Sequence, residues 1–237
     1  MERAGAGVVT QLEALYGPIA GKSVAILCGK GNNGGDGFVV ARLLRRKKAH
    51  VQVLLLTSPS ELSRDAKTMY QRFQRTAGQA AVTRPADAQV LEQRLRASDL
   101  VVDAILGTGL SSGVTGLYRD AIEAINTAAR PTVAVDLPSG LHADSGAILG
   151  AAVRADLTVT FGLPKVGLYC GAGIECAGQL RMADIGIPAP FVDAIGSRLF
   201  LLTDLAARTA LPVRRPSSHK GTYGHVGIIA GSVGKTG

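Results

Sequence analysis

The chain is poor in the residues that mark several classes of protein. Its 237 residues include no tryptophan, three cysteines and 4% aromatic residues. Cys28, Cys170 and Cys176 are too few and too irregularly spaced for a disulfide framework or a metal knuckle, which fits a reducing compartment. No apolar run reaches the roughly 18 to 20 residues that span a bilayer, and the N-terminus has no signal segment. We therefore expect a cytoplasmic protein without a membrane partner.

The chain carries an excess of basic over acidic residues, 26 against 18. The formal net charge is +8, but the basic residues are not interleaved with the aromatic residues on which nucleic-acid bases stack. The densest basic run, Arg42 to Lys48, lies at the end of a predicted helix, where cations interact favourably with the helix dipole. The sequence thus predicts no nucleic-acid partner, although the charge would attract an anionic, phosphate-bearing ligand.

Apolar, β-branched runs alternate with amphipathic stretches along most of the chain. The runs have the length of buried strands, and amphipathic helices are predicted over Asp36 to Lys48 and Ala121 to Ala129. This alternation predicts an α/β fold, a Rossmann-like, doubly wound and mostly parallel sheet with helices on both faces. The predicted strands are Ser23 to Cys28, Val51 to Leu56, Leu100 to Ile105, Thr132 to Val135, Leu157 to Phe161 and Leu180 to Ile185.

The pattern changes towards the C-terminal end. Arg214 to Ser218 is typical of a linker, and it precedes a further predicted strand, Val226 to Ala230, and a glycine turn over Gly231 to Gly237. We therefore expect one complete domain over residues 1–203. Residues 204–237 would form a linker and the start of a second domain.

A glycine-rich segment follows the first predicted strand and opens the first predicted long helix. It contains the pattern G-x-G-x-x-G at Gly29, Gly31 and Gly34, which favours a nucleotide cradle because glycines allow close approach and helix-start N–H groups bind phosphate. The second strand ends at Thr57 without an acidic residue for an adenosine ribose, which disfavours an ordinary dehydrogenase. The polar run Asn32 to Asp36 suggests oxygen ligands for a cation. A plain glycine-rich turn is the alternative.

Three charged residues come at or after the carboxyl ends of other predicted strands. They are Asp103, Asp136 and Lys165, and in a parallel sheet they would meet the glycine segment along one edge. Asp103 lies in an apolar run, so a cation or helix-start amides must compensate its burial. The alternatives are a carboxylate that caps a turn at Asp103, a simple turn at Asp136 and a surface lysine at Lys165.

Five ordered motifs resemble the NAD(P)H-hydrate epimerase family: GNNGGDGFVVARLL, VVDAILGTGL, VAVDLPSGL, TVTFGLPKVGLY and GQLRMADIGIP. This resemblance covers about residues 1 to 200. The segment HKGTYGH at residues 219–225 and the glycine turn after it resemble the start of the ADP-dependent NAD(P)H-hydrate dehydratase domain, which has a ribokinase-like fold. The resemblance implies a bifunctional nicotinamide repair enzyme whose second domain is cut short.

The resemblance also implies an activity and a site. The family converts the R and S forms of NAD(P)HX, nicotinamide dinucleotides hydrated at carbon 6, with a bound potassium ion, and a homodimer is expected. Asn33, Asp103 and Ser139 would provide oxygen ligands to potassium, and we hypothesise that Asp136 and Lys165 are catalytic. The residues that would line the substrate are Asn32, Asn33, Gly34, Gly35, Asp36, Gly107, Thr108, Gly109, Leu110, Ser111, Ser112, Gly113, Tyr118 and Asp136.

The sequence departs from the family at both ends. The family usually carries a longer helical segment before the stretch that starts here at Met1, so we expect that segment to be missing, with an effect on dimer contacts and stability. Gly234-Lys235-Thr236 lacks the earlier glycine of a P-loop, and we expect no dehydratase activity from these residues. The two alternative functions are a non-catalytic Rossmann-like scaffold, which the charged site disfavours, and a small-molecule dehydrogenase, which the missing acid after the second strand disfavours.

Overall fold

The structure is a computed structural model that describes residues 1–77, 82–85, 87–225, 227 and 231–232. The chain divides into two compact units, Met1–Val192 and Asp193–Gly237. The division lies somewhat before the domain boundary expected after residue 203. The first unit contains the whole sheet and every residue of the candidate site.

In the described residues, seven parallel strands form one sheet, and with the strands numbered along the chain their spatial order is 3-2-1-4-5-6-7. Most residues of the five inner strands are buried, as expected for apolar, β-branched runs covered on both faces, whereas the edge strands at Val82–Thr83 and Gln179–Ala183 are more exposed. The Rossmann-like fold class predicted from the alternating pattern is confirmed. The strands are β1 (Ser23–Cys28), β2 (His50–Leu55), β3 (Val82–Thr83), β4 (Leu100–Ala104), β5 (Thr132–Val135), β6 (Leu157–Phe161) and β7 (Gln179–Ala183).

Two hydrophobic cores cover the two faces of the sheet. One joins the first three helices of the chain to the sheet around Leu12, Phe38 and Phe73, and the other joins the next two helices to it around Leu91 and Ile122. A smaller cluster lies beneath the segments that follow β5 and β6. The helices of this unit are α1 (Glu2–Tyr16), α2 (Asn32–Arg46), α3 (Arg64–Ala77), α4 (Ala88–Arg96), α5 (Gly116–Ala128), α6 (Gly173–Cys176) and α7 (Ala189–Asp193).

Helix α2 begins earlier than the sequence predicts. The prediction placed its first residue at Asp36, but the helix begins at Asn32, after Gly31 in extended backbone. Asparagine and glycine have weak helix propensity, and tertiary packing overrides it here because residues 33–37 are all buried. The polar run is therefore the first turns of a helix, and the prediction that it forms a loop is wrong.

The chain order of the strands creates a crevice. From β1 the chain moves outward to β2 and β3, and then returns to place β4 on the other side of β1. In open α/β sheets, ligands bind outside the carboxyl ends of the strands where this order reverses. The glycine segment after β1 and the loop after β4 lie at that position.

The second unit contains little regular structure among its described residues. It has a short helix, α8 (Asp204–Ala210), and a 3₁₀ turn at Lys220–Tyr223. The strand predicted over Val226 to Ala230 and the glycine turn after it lie almost entirely outside the described residues. Within the described parts of the chain, no helix has the length and hydropathy to span a membrane.

Candidate functional site

Two glycines allow three backbone segments to meet at the crevice. A Cβ on Gly29 would lie 2.0 Å from the Ile105 carbonyl oxygen, and a Cβ on Gly34 would lie 2.0 Å from the Gly29 carbonyl oxygen. Both contacts are with backbone, so no side chain fits at either position. A Cβ on Gly31, by contrast, would meet nothing within 4 Å. Gly29 and Gly34 therefore serve close packing, while the backbone at Gly31 is open to a ligand.

A chain of hydrogen bonds joins Asn33, Leu106, Ser139 and Asp103, which we call the Asp103 cluster. Asn33 Nδ2 donates to the Leu106 carbonyl oxygen at 2.9 Å, and Leu106 N donates to Ser139 Oγ at 2.8 Å. Ser139 Oγ in turn donates to Asp103 Oδ1 at 2.6 Å. The three residues to which the resemblance assigns potassium thus lie together, although they come from three separate segments.

The carboxylate of Asp103 is completely buried. Its Oδ2 accepts from Ser139 N at 2.8 Å and its Oδ1 also accepts from Ile105 N at 3.2 Å. Burial raises the pKa of Asp103 to about 6, because the loss of solvation outweighs the opposing hydrogen bonds from Ser139 and Ile105. In the described residues, the hydrogen-bond donors to this carboxylate are two backbone amides and one hydroxyl.

A second group, which we call the Asp136 cluster, contains Asp136, Thr160, Phe161 and Lys165. Lys165 Nζ donates to Asp136 Oδ1 at 2.5 Å, and the same oxygen accepts from Thr160 Oγ1 and Phe161 N, each at 3.2 Å. The side chains of Asp136 and Lys165 are 15% and 17% exposed, so this ion pair is partly open to solvent. Asp136 also has a φ of 69°, a left-handed conformation that is uncommon outside glycine and clusters at functional sites.

Asp36, on α2, is a third carboxylate of the site. Its Oδ1 is buried and has no hydrogen-bond partner among the described residues. Burial raises the pKa of Asp36 to about 7, the Met1 amino group at 3.7 Å opposing this rise and the charge of Asp136 adding to it. Desolvation is thus the main cause of the raised pKa of Asp36, and the charge of Asp136 is a smaller one.

The loop after β4 carries most of the other residues expected to line the substrate. Gly107 lies beside Asn33, since a Cβ there would be 3.5 Å from the Asn33 Cβ, and Leu110 packs partly against the core. The remaining residues of this loop are exposed, and a Cβ on Gly109 or Gly113 would point into open space. The exposed residues are Thr108, Gly109, Ser111, Ser112 and Gly113.

The other expected substrate residues are placed differently. Tyr118 approaches the glycine segment, where its hydroxyl accepts from Lys30 N at 3.3 Å. Asn32 is exposed, and its Oδ1 accepts from Ser63 Oγ at 3.2 Å. Gly35 is buried, and a Cβ there would meet Met1 and Ala66. Gly35 therefore faces protein and does not line the open crevice with its Cα.

The sequence did not predict two residues that lie near the carboxyl ends of the strands. Thr160 belongs to the Asp136 cluster, but a threonine within a strand gives no distinctive signal. Glu61 follows β2, and its Oε2 accepts from Thr57 Oγ1 at 2.7 Å and Ser58 N at 2.8 Å. Glu61 closes the capping box of its own turn, a Ser-x-x-Glu pattern that the sequence displays, and it does not stand at the end of β2, where the acidic residue of a dehydrogenase would hold a ribose.

The donor chemistry of the site is that of oxygen ligands. Across residues 1–77, 82–85 and the other described parts, no three His, Cys, Asp or Glu side chains cluster as metal ligands would. The Asp103 cluster instead combines one carboxylate with one side-chain amide and one hydroxyl. Hard cations prefer such oxygen donors.

Comparison with known proteins places the chain in a family. The family model described as "YjeF-related protein N-terminus" matches residues 1–167. The chain belongs to this family. The crystal structure of yeast ynu0 has the same fold, with a TM-score of 0.67 over 85% of this chain and 84% of that one at 24% sequence identity.

The curated relatives are of two kinds, longer bifunctional enzymes and shorter epimerases. The "Bifunctional NAD(P)H-hydrate repair enzyme Nnr" of Moorella thermoacetica is 45% identical over all of this chain, which spans only 45% of that relative. The "NAD(P)H-hydrate epimerase" of Limosilactobacillus reuteri is 40% identical over 78% of this chain and 82% of its own length. The chain thus spans less than half of the bifunctional relatives and most of the shorter one, and the resemblance seen in the motifs is confirmed.

Proposed function

We propose that the first unit interconverts the R and S forms of NAD(P)HX. The observation that carries this proposal is the Asp136–Lys165 ion pair, which stands partly exposed on the edge of the sheet where open α/β folds bind ligands. The name and coverage of the Limosilactobacillus reuteri relative support the same activity. A scaffold that binds without catalysis has no need of a strained aspartate in a salt bridge.

The dinucleotide would be held by α2 and the loop after β4. Gly31, which precedes the helix, has no side chain to cap the first turn, so N–H groups there are available to phosphate. The open backbone at Gly31, Gly109 and Gly113 permits close approach. The expected contacts remain those named from the motifs, except that Gly35 N already donates to the Gly31 carbonyl oxygen at 3.2 Å and so offers no N–H to phosphate.

Asp136 would move the proton that the reaction requires. Inversion at carbon 6 needs a proton delivered and removed as the hydroxyl leaves and returns, or as the ring opens and recloses. A carboxylate at the crevice can accept and return that proton, while the Lys165 ammonium stabilises its charge. General acid–base assistance of this type contributes about 10²- to 10⁴-fold in rate.

Potassium is proposed as the cofactor of the Asp103 cluster. The residues fit such an ion, because Asp103 is fully buried and accepts only from neutral donors, whereas a buried anion is stabilised by a cation. Asn33 uses its Nδ2 on Leu106, which leaves its Oδ1 as the atom to face a cation. Asn33, Asp103 and Ser139 would hold the ion, and its charge would favour an anionic dinucleotide in the crevice.

The proposal extends to the organisation of the whole protein. We expect residues 1–203 to form the epimerase domain and residues 204–237 to form a linker and the start of a dehydratase domain. A homodimer in the cytoplasm, with no nucleic-acid or membrane partner, is the expected state. Dehydratase activity is expected only of a chain that contains the complete second domain.

Incubation of purified R-NADPHX with the chain, followed by chromatographic separation of the epimers, tests the function. We expect the S form to appear much faster than in a protein-free sample. Binding of NADPHX without any acceleration would instead support the scaffold, and the epimerase proposal would be rejected.

A further inference from the structure

We propose that Thr160 is a positioning residue for the epimerisation, acting through Asp136 and Lys165. This inference rests on the proposed function, because it assigns Thr160 a task at the same site. Thr160 lies within β6, and its side chain is 1% exposed. It therefore reaches the substrate only through the groups that it orients.

The Thr160 hydroxyl uses both of its hydrogen-bonding capacities within the Asp136 cluster. Its oxygen accepts from Lys165 Nζ at 3.0 Å, and its hydrogen is donated to Asp136 Oδ1 at 3.2 Å. A hydroxyl is one of few side-chain groups that can accept from an ammonium and donate to a carboxylate at once. Thr160 therefore closes a triangle with the two charged groups.

Within this triangle the ammonium of Lys165 has a fixed orientation. Its three N–H groups have three acceptors, namely Asp136 Oδ1, Thr160 Oγ1 and the Phe161 carbonyl oxygen at 2.7 Å. A charged lysine has three donors and no acceptor. Lys165 thus serves as a fixed positive charge, and Thr160 provides one of the three contacts that hold it.

The same triangle distinguishes the two oxygens of Asp136. Lys165, Thr160 and Phe161 N all donate to Oδ1, and no donor among the described residues reaches Oδ2. Oδ2 is therefore the oxygen that can accept a proton from a ligand. Loss of the Thr160 hydroxyl would remove one of the contacts that prevent the carboxylate from rotating and exchanging its two oxygens.

Thr158 provides a matched control on the same strand. It lies two residues before Thr160 on the same face of β6, it is fully buried, and its hydroxyl donates to the Ala177 carbonyl oxygen at 2.7 Å. A Thr158→Val change thus removes a buried hydroxyl of the same type without touching the Asp136 cluster. General effects of losing a hydroxyl from β6 should appear in both variants.

The experiment compares the epimerisation kinetics of Thr160→Val, Thr160→Ser and Thr158→Val with those of the parent chain. We expect Thr160→Val to lower kcat by about 10- to 100-fold, the cost of a misplaced reacting group, with KM changed much less. Thr160→Ser, which retains the hydroxyl, should have a kcat close to that of the parent, and Thr158→Val should keep the parent kcat. A folded Thr160→Val variant with parent kcat, or a Thr160→Ser variant as slow as Thr160→Val, would overturn the inference.

A second readout does not depend on activity. Nuclear magnetic resonance can measure the rate at which the hydrogens of the Lys165 ammonium exchange with water. We expect this rate to be low in the parent and in Thr158→Val, and higher in Thr160→Val. An inactive parent chain would reject the proposed function, whereas unchanged exchange in Thr160→Val would reject the positioning role. The two failures are therefore distinguishable.

Discussion

Two aspartates at the ends of neighbouring strands, Asp103 of β4 and Asp136 after β5, have come to lie in opposite environments. Both follow a buried apolar run in the sequence. Asp103 is sealed from solvent and bonded only to neutral donors, whereas Asp136 is partly exposed and paired with a lysine. The same local pattern thus gives one aspartate suited to hold structure and a cation, and another suited to exchange protons.

The difference arises from residues distant in the chain. Ser139 donates from its amide and its hydroxyl to Asp103. Asp136 instead accepts from Thr160, which lies in β6, and from Lys165, which lies in the segment after β6. A carboxylate bonded by neutral groups in a sealed site has no route for a proton from a ligand. A carboxylate with one open oxygen in a crevice has such a route.

The largest contrast in stability should come from changing each aspartate to asparagine. Asp103→Asn places an amide N–H₂ among the donors of Ser139 and Ile105, so we expect a loss of about 1 to 3 kcal/mol in the free energy of unfolding. Asp136→Asn keeps an acceptor for Lys165, and asparagine tolerates the positive φ, so its stability should stay within about 1 kcal/mol of the parent. Urea unfolding measures both.

Potassium provides the control for that comparison. If the ion binds the Asp103 cluster, potassium chloride should stabilise the parent and Asp136→Asn relative to tetramethylammonium chloride, by mass action. Asp103→Asn should have lost this response. Equal stability of the parent in the two salts would remove potassium from the account.

A smaller effect concerns Asp36 and the dependence of stability on pH. The pKa of Asp36 is about 7 in the folded state and near 3.8 without the fold, so the folded state binds more protons between these values and stability falls as pH rises through this range. Asp36→Asn cannot ionise, so it should lose less stability than the parent between pH 5 and pH 8. Urea unfolding at the two pH values tests this.

A matched variant at an exposed aspartate separates this effect from a general change of charge. Asp144 is exposed and lies in the segment after β5. Asp144→Asn should retain the pH dependence of the parent. If Asp36→Asn loses as much stability between pH 5 and pH 8 as the parent and Asp144→Asn do, the ionisation of Asp36 is not the cause of that loss.

The strands were predictable because their signal is local. Val51 to Leu56 was placed within one residue of β2, since a buried parallel strand is an apolar run. Leu180 to Ile185 was placed within two residues of β7, although most of that edge strand is exposed. The start of α2 was not predictable in this way. Gly34 lies in the helix so close to the Gly29 carbonyl oxygen that a Cβ would be 2.0 Å from it, and local propensity carries no information about that contact.

The candidate site shows the same limit. Asp103, Asp136 and Lys165 were predictable as a group because parallel strands bring their carboxyl ends to one edge. Thr160 was not, because its contacts depend on where Asp136 and Lys165 lie in space, and β6 alone reads as an ordinary buried strand. Glu61 had a local signal in its capping box, which identifies a turn and not a binding role.

The rate at which Asp136→Asn equilibrates R- and S-NADPHX tests the central claim most directly. With stability near that of the parent, the variant should be slower by about 10²- to 10⁴-fold, while Asp144→Asn keeps the parent rate. A folded Asp136→Asn variant that equilibrates the epimers as fast as the parent would contradict the assignment of proton transfer to Asp136.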